Sequence, residues 1–257
     1  MASIHPRAGI GNRNSFGYGV RIGPNVSIGD DNHIGNYVLI SGNVTIGNGN
    51  VIGIGSVLGG ISNHVIRKKI ENTPVNSQQA IRIGDENIFG EFITVHTSVG
   101  SITSIGNHIN VGTKSHVAHD ANIEDRAIIS IHCGLGGYVR ILRGANVGIG
   151  VNIHPRIVVG QYSMIGLGSV VIRHIQPGAT VVGNPQRYIK PNRIGMERNG
   201  LSTRCIEELS QYLNGEQVDL AALSSETHDI LSRFFDIIRN NKYVRDVPCV
   251  PSHGTSI

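Results

Sequence analysis

The chain has 257 residues, with 34 glycines, no tryptophan, 16% charged residues and a net charge of +4. Lys and Arg are scattered rather than gathered in one stripe, which argues against nucleic-acid binding; abundant Ile and Val argue against disorder. Three distant cysteines, Cys133, Cys205 and Cys249, make neither a disulfide framework nor a zinc ribbon and fit a reducing compartment. The start, MASIHPRAG, lacks a secretion-signal pattern, and no run of about 18 apolar residues spans a membrane, so a cytoplasmic location is expected.

From the N-terminus, large apolar residues recur every six positions. Ile4, Ile10, Phe16, Ile22, Ile28, Ile34, Ile40, Ile46, Ile52 and Leu58 form the first run. Glycine often follows, as in Ile22-Gly23 and Ile34-Gly35. The register returns at Ile83, Phe89 and Val95, slips by four at TSVGSITS, and runs unbroken from Ile105 to Val171. A period of six fits neither an amphipathic helix nor a simple alternating strand. It fits a short strand and a corner, with one aliphatic side chain pointing inward per side. Gly and Asn are expected to give the corners their left-handed conformations. Three sides close a triangular coil, so residues eighteen apart stack, and the inward column becomes the core. The twenty-five hexads make about eight coils.

Two segments depart from the repeat. Residues 61–80, carrying Arg67, Lys68 and Lys69, are a polar insertion; loops thrown out of a rigid solenoid often line its binding face. After Pro191 the pattern becomes helical. Ser202 can cap a helix with Ile206, Leu209 and Leu213 on one face, and Ser225 another with Ile230, Leu231, Phe234, Ile237 and Ile238. The expected organisation is a β-helix over 1–191 and a small helical C-terminal domain with a loose tail over 192–257.

The stretch SHVAHDANIED adds chemistry to this plain background. The eighteen-residue stacking rule brings His96, His116, His119, Gly137-Tyr138 and His154 to one edge, over about 15 Å. His116 falls at the corner leading into that side. A solvated or interfacial ladder is the simplest reading. A zinc site is a second, because neutral imidazoles ligate zinc and trimeric β-helix carbonic anhydrases hold it between subunits. The H-x-x-H spacing here differs from theirs. General-base catalysis is a third. A neutral His119 can take a proton from a hydroxyl or protonated amine that attacks a thioester. The Gly137 N–H can hold the oxyanion. Asp120 can fix the His119 tautomer, provided a corner turns both side chains to the same face.

The chain also resembles the acyl-carrier-protein–UDP-N-acetylglucosamine O-acyltransferases among the hexapeptide-repeat acyltransferases. The resemblance runs from IHPRA at Ile4 through IGDENIFGEFITVH, HVAHDANIED, GLGGYV and NIHPR to NRIGMERNGLS. It implies a left-handed parallel β-helix, a homotrimer and a place in lipopolysaccharide biosynthesis. It implies His119 as general base with Asp120 beside it, Gly137 as oxyanion glycine, and His96, His116 and His154 as substrate contacts. Asn192 and Arg198 match residues that hold the nucleotide. The implied partners are a nucleotide-sugar acceptor and an acyl-CoA or acyl-carrier-protein donor, which act as co-substrates with no bound cofactor and no metal.

Several positions depart from the family pattern. Tyr138 replaces a histidine, Pro155 a glutamine, Ile194 a glutamate and Asn199 an arginine, and the 61–80 insertion replaces a sugar-contacting loop. A nucleotide amino-sugar N-acetyltransferase using acetyl-CoA is therefore the second reading, and a non-catalytic nucleotide-sugar binder a further one. Leu167 falls where the family's glycine admits a long acyl chain, so a short acyl group is expected.

Overall fold

In the computed structural model, which describes residues 1–62 and 79–240, the chain is a parallel β-solenoid of three long sheets followed by three short helices. The sheets have nine, eight and ten strands, here called sides A, B and C in the order the chain visits them. About nine turns result, one more than the hexad count. The winding continues past Val171: Ile175 bridges to Val159, and Ala179–Val182 pairs with Met164–Ile165. An unforeseen strand, Arg187–Pro191, then runs antiparallel along Ala179–Val182.

Most strands are only two residues long, an outward residue followed by an inward one. On side A the pairing steps by eighteen, as in Ile4↔Ile22 and Arg21↔Leu39. The inward residues Ile40, Leu58, Val95, Val117, Leu135, Ile153 and Val171 are buried in one aliphatic core. Leu213, Tyr188 and Tyr212 join that core from the C-terminal end, so the helical region plugs the last coil and covers apolar surface that water would otherwise meet.

The corners depart from expectation in an informative way. Among the described residues, thirteen other than glycine take left-handed φ values, including Tyr37, Phe92, Asp120, Tyr138 and Arg156. Each such residue costs about 1–2 kcal/mol in isolation. Here a cross-coil hydrogen bond offsets it: Tyr37 N–H donates to Tyr18 O at 2.8 Å and Phe92 N–H to Ile54 O at 2.8 Å. The glycine after the inward residue serves another purpose. A Cβ on Gly53 would lie 2.5 Å from the Gly90 carbonyl, so this glycine permits close approach of successive coils. Asparagine also goes inward. Asn14, Asn32, Asn50 and Asn87 form a ladder at the B-to-C corner, where each Oδ1 accepts from the next residue's backbone N–H. Such a ladder satisfies polar groups that burial would otherwise leave unpaired.

Helices α1 (Arg193–Arg198), α2 (Thr203–Leu213) and α3 (Ser225–Arg239) follow. Ser202 caps α2 as expected, but the cap of α3 is Ser224, one residue earlier than Ser225. Glu208 of α2 holds that cap, accepting from Ser224 Oγ and Thr227 Oγ1 at 2.6 Å each. Apolar side chains of α1, α2 and α3 pack on each other through Met196, Leu209 and Leu231, while Phe234 packs on Leu142 and Val158 of the solenoid. Arg67, Lys68, Lys69, Cys249 and the expected tail lie outside the described residues.

Candidate active site

The histidine strip lies where side A turns into side B. Side A carries an outward column running Thr94, His116, Gly134 and Asn152 on successive coils. His116 is thus on the strand itself rather than at a corner. Its Nδ1 lies 2.7 Å from Thr94 Oγ1, and its ring meets the His96 ring edge-on at 4.5 Å. Burial pushes the His116 pKa down to about 4, and the neighbouring His96 and His119 push the same way. His96 is lowered chiefly by burial as well. Both imidazoles are therefore neutral at pH 7 and serve as polar contacts rather than charges. His154 directly follows the strand Asn152–Ile153, two coils beyond Ala118, and is exposed, with Nδ1 donating to Pro155 O at 3.1 Å.

His119 and Asp120 occupy the corner itself. Asp120 has φ of 59°, and this left-handed residue turns its carboxylate to the same side as the preceding imidazole. His119 Nδ1 and Asp120 Oδ2 are 2.7 Å apart. The carboxylate is completely buried and accepts N–H groups from Val99 and Gly100 at 2.9 Å each, from Ser101, and the Ser101 hydroxyl at 3.0 Å. Burial alone would raise its pKa; the His119 hydrogen bond and the backbone N–H groups outweigh that and bring it to about 2. An ionised Asp120 accepts, so it favours the His119 tautomer with its proton on Nδ1.

One coil later comes Gly137. A Cβ there would lie 2.7 Å from His119 Cε1 and 2.8 Å from Nε2, so only glycine leaves room for the ring. Among the described residues the Gly137 N–H has no hydrogen-bond acceptor, while its carbonyl accepts from Arg156 N–H at 2.9 Å. An imidazole and a backbone N–H of adjacent coils are thus brought to one edge, a pairing suited to acyl transfer. Tyr138 places its ring perpendicular to His119 at 5.2 Å, and the Arg156 guanidinium lies 4.5 Å above the Tyr138 ring.

The other sequence candidates lie elsewhere in a single chain. Asn192 caps α1, accepting from Gly195 N–H, and donates to Tyr162 O at the B-to-C corner. Arg198 ends the same short helix. Both are separated from His119 by the width of side B. Leu167 sits at the C-to-A corner, across side A from His119, and is 78% exposed. Ile194 is also exposed, and Asn199 donates to Gly195 O at 2.9 Å. A groove of about 600 Å³ lies between side B and α3 and is lined by Arg82, Asn122, Arg140 and Arg233 rather than by the histidines. Sequence reasoning missed the Asp120-binding residues Val99–Ser101 and Thr103, although the slip at TSVGSITS marked them. Among the described residues no group of three or more His, Cys, Asp or Glu side chains is arranged to hold a metal ion, and no helix is long and apolar enough to cross a membrane.

No protein-family model matches the chain. In sequence it is 32% identical over 133 residues, 51% of its length, to an acyl-[acyl-carrier-protein]–UDP-N-acetylglucosamine O-acyltransferase of Gloeothece citriformis, and the match covers 48% of that protein. A like-named protein of Alkalilimnicola ehrlichii is 28% identical over 163 residues, covering 58% of this chain and 63% of that one. The chain thus spans about half the length of the first of these relatives. In structure it matches the UDP-N-acetylglucosamine acyltransferase of Bacteroides fragilis with a TM-score of 0.79 at 28% identity, over 94% of this chain and 96% of that one. The enzyme of Francisella novicida shares the fold, with a TM-score of 0.82 at 23% identity over 94% of this chain and 90% of that one. By its repeat, its winding and these likenesses, the chain is similar to the UDP-N-acetylglucosamine acyltransferases and shares their β-solenoid fold.

Proposed function

We propose that this protein transfers an acyl group from a thioester to a hydroxyl or amine of a nucleotide-linked sugar. The observation that carries the reading is the His119–Asp120 pair with its ring packed against Gly137. His119 Nε2 takes the acceptor's proton as its oxygen or nitrogen attacks the thioester carbon. The oxyanion forms against the Gly137 N–H. The C–S bond then breaks, and the thiolate leaves and takes the proton from the imidazolium. No covalent enzyme intermediate is required. The donor is an acyl-carrier protein or coenzyme A thioester acting as a co-substrate, consistent with the names of the relatives.

The working unit is a homotrimer. Exposed apolar residues follow side C at Val51, Ile88 and Ile128, and the C-to-A corner at Ile54, Phe92, Ile131, Ile149 and Leu167. An apolar strip of this kind, interrupted at Asn110 and Lys114, marks an association surface. Turning that corner toward a threefold axis buries it. The same arrangement sets side A of one subunit against side C of the next. His119 then faces the B-to-C corner of its neighbour, the corner that carries Asn192 and Arg198. The convex histidine edge gains its second wall, as ligand sites require.

Thiol release measured with acetyl-, butyryl- and 3-hydroxymyristoyl-thioesters, against a panel of UDP- and dTDP-sugars, tests the reading. His119→Ala should lower turnover by about 10²–10⁴-fold. No thiol release with any pair, or full turnover in the variant, would overturn it. Tyr138, Pro155 and Ile194 favour an acceptor altered at the sugar or base, and Leu167 favours a short acyl group.

A further inference from the structure

The coil joining Thr94 to His116 is four residues longer than the regular repeat: these stacked residues are 22 apart, where eighteen is usual. The extra residues do not simply bulge into solvent. Thr97 N–H and Ala80 N–H tie the segment to the coil before it, through Gly60 O and Ser98 Oγ at 2.9 Å each. The chain then turns so that three successive N–H groups, of Val99, Gly100 and Ser101, converge on the carboxylate of Asp120, with the Ser101 hydroxyl as a fourth donor. Just beyond, Thr103 Oγ1 accepts the Asp120 N–H at 2.8 Å from a fully buried position. Both the carboxylate and the left-handed backbone of Asp120 are thus fixed by one short segment.

We propose that Val99–Ser101 and Thr103 are positioning elements for catalysis, a carboxylate-binding turn that holds Asp120 ionised and aimed at His119 Nδ1. The inference rests on the acyl-transfer reading for its kinetic arm only. Successive backbone N–H groups form a concave anion site. Here its anion is internal. Four donors share the negative charge of Asp120, so the carboxylate acts as an oriented acceptor rather than as a strong base competing for the proton. The consequence falls on tautomer and angle. With Asp120 fixed, the imidazole plane is fixed, and Nε2 stays over Gly137. A simple loop insertion would need none of these bonds. The turn also explains why Gly100 stands where it does: a Cβ there would lie 3.2 Å from the Tyr138 hydroxyl.

The test compares Thr103→Val, which keeps shape and loses the acceptor, with Thr103→Ser, which keeps the hydroxyl, and Ser101→Ala, which removes one donor at an exposed residue. Two readouts are needed. The first requires no substrate: the low-field proton resonance of the His119–Asp120 hydrogen bond. It should be present in wild type and Thr103→Ser, shifted in Ser101→Ala, and lost in Thr103→Val. The second is kinetic. Thr103→Val should lower kcat about 10–100-fold with KM within about 2-fold, Ser101→Ala about 5-fold, and Thr103→Ser by less than about 3-fold. A folded Thr103→Val protein with an unchanged low-field signal overturns the proposal, whatever its activity. If Thr103→Val fails to fold, Ser101→Ala decides: an unshifted signal overturns the proposal, and a shifted one supports it. A lost signal in a protein that releases no thiol with any substrate leaves the turn supported and sinks the acyl-transfer reading instead.

Discussion

Gly137→Ala separates a catalytic histidine from a decorative one. Gly137 is not left-handed, so alanine suits its backbone. The added methyl would meet the His119 ring first, 2.7 Å from Cε1 and 2.8 Å from Nε2. Ordinary contact begins near 3.4 Å, so the ring must retreat by about 0.7 Å. It cannot do so and keep the 2.7 Å bond to Asp120 Oδ2, because that carboxylate is held from four directions. A displacement approaching 1 Å in a positioned group costs about 10² in rate. Turnover in a thiol-release assay should therefore fall about 100-fold, with KM within about 3-fold and thermal melting nearly unchanged. Gly136→Ala is the control. There a Cβ meets the Pro155 backbone nitrogen at 2.6 Å, and the main chain must move. That variant should melt lower. Near-normal turnover in Gly137→Ala, with an unaltered melting curve, would refute the assignment of His119 as base.

Three further outcomes are expected. Because the folded pKa of His116 is about 4, below its unfolded value of about 6.5, protonation favours the unfolded chain. Stability should fall as pH drops from about 6.5 to about 4, by about 1–2 kcal/mol after discounting for partial exposure; His116→Gln should flatten that part of a melting-versus-pH curve. Asn50→Ala should cost about 2–4 kcal/mol in a denaturant melt, because it strands the Asn87 N–H and the Gly84 carbonyl in a buried ladder. Leu167→Gly should widen acyl tolerance toward longer thioesters, since each methylene given a groove gains about 0.8 kcal/mol; a wild-type preference for the fourteen-carbon donor would contradict the short-chain expectation.

The solenoid is legible because the inward strand residues repeat one requirement, a large apolar side chain at a fixed spacing. That is why Ile22, Ile40 and Leu58 can be stacked without a structure. The corner chemistry is less legible. Asp31, Tyr37 and Phe92 do not advertise left-handed backbones, since the compensation lies in a carbonyl one coil away, eighteen or more residues distant. Glycine misleads in the same way: Gly53 answers to the Gly90 backbone beside it, not to its own φ. The cap of α3 slips from Ser225 to Ser224 because Glu208, on another helix, selects which serine it binds. The ninth turn escapes a hexad count because Ile175 and Val181 are no longer six apart from Val171.

The site was legible to the same depth and for the same reason. Stacking by eighteen brings His96, His119, Gly137 and His154 together because each keeps its place relative to an inward residue. It fails for the turn at Val99–Ser101, which exists only because the spacing is broken. It also fails to join His119 with Asn192 and Arg198. These lie on different corners of one triangular solenoid, and no folding of a single chain can bring two corners of a rigid prism together. Either the second pair plays no part with His119, or the corners meet between copies. The apolar strip at the third corner favours the latter, because burying that corner at a threefold axis apposes the other two without further adjustment. Sedimentation of the purified protein discriminates directly. A monomer with full thiol-release activity would break the link between the two corners and leave Asn192 and Arg198 as structural residues of α1.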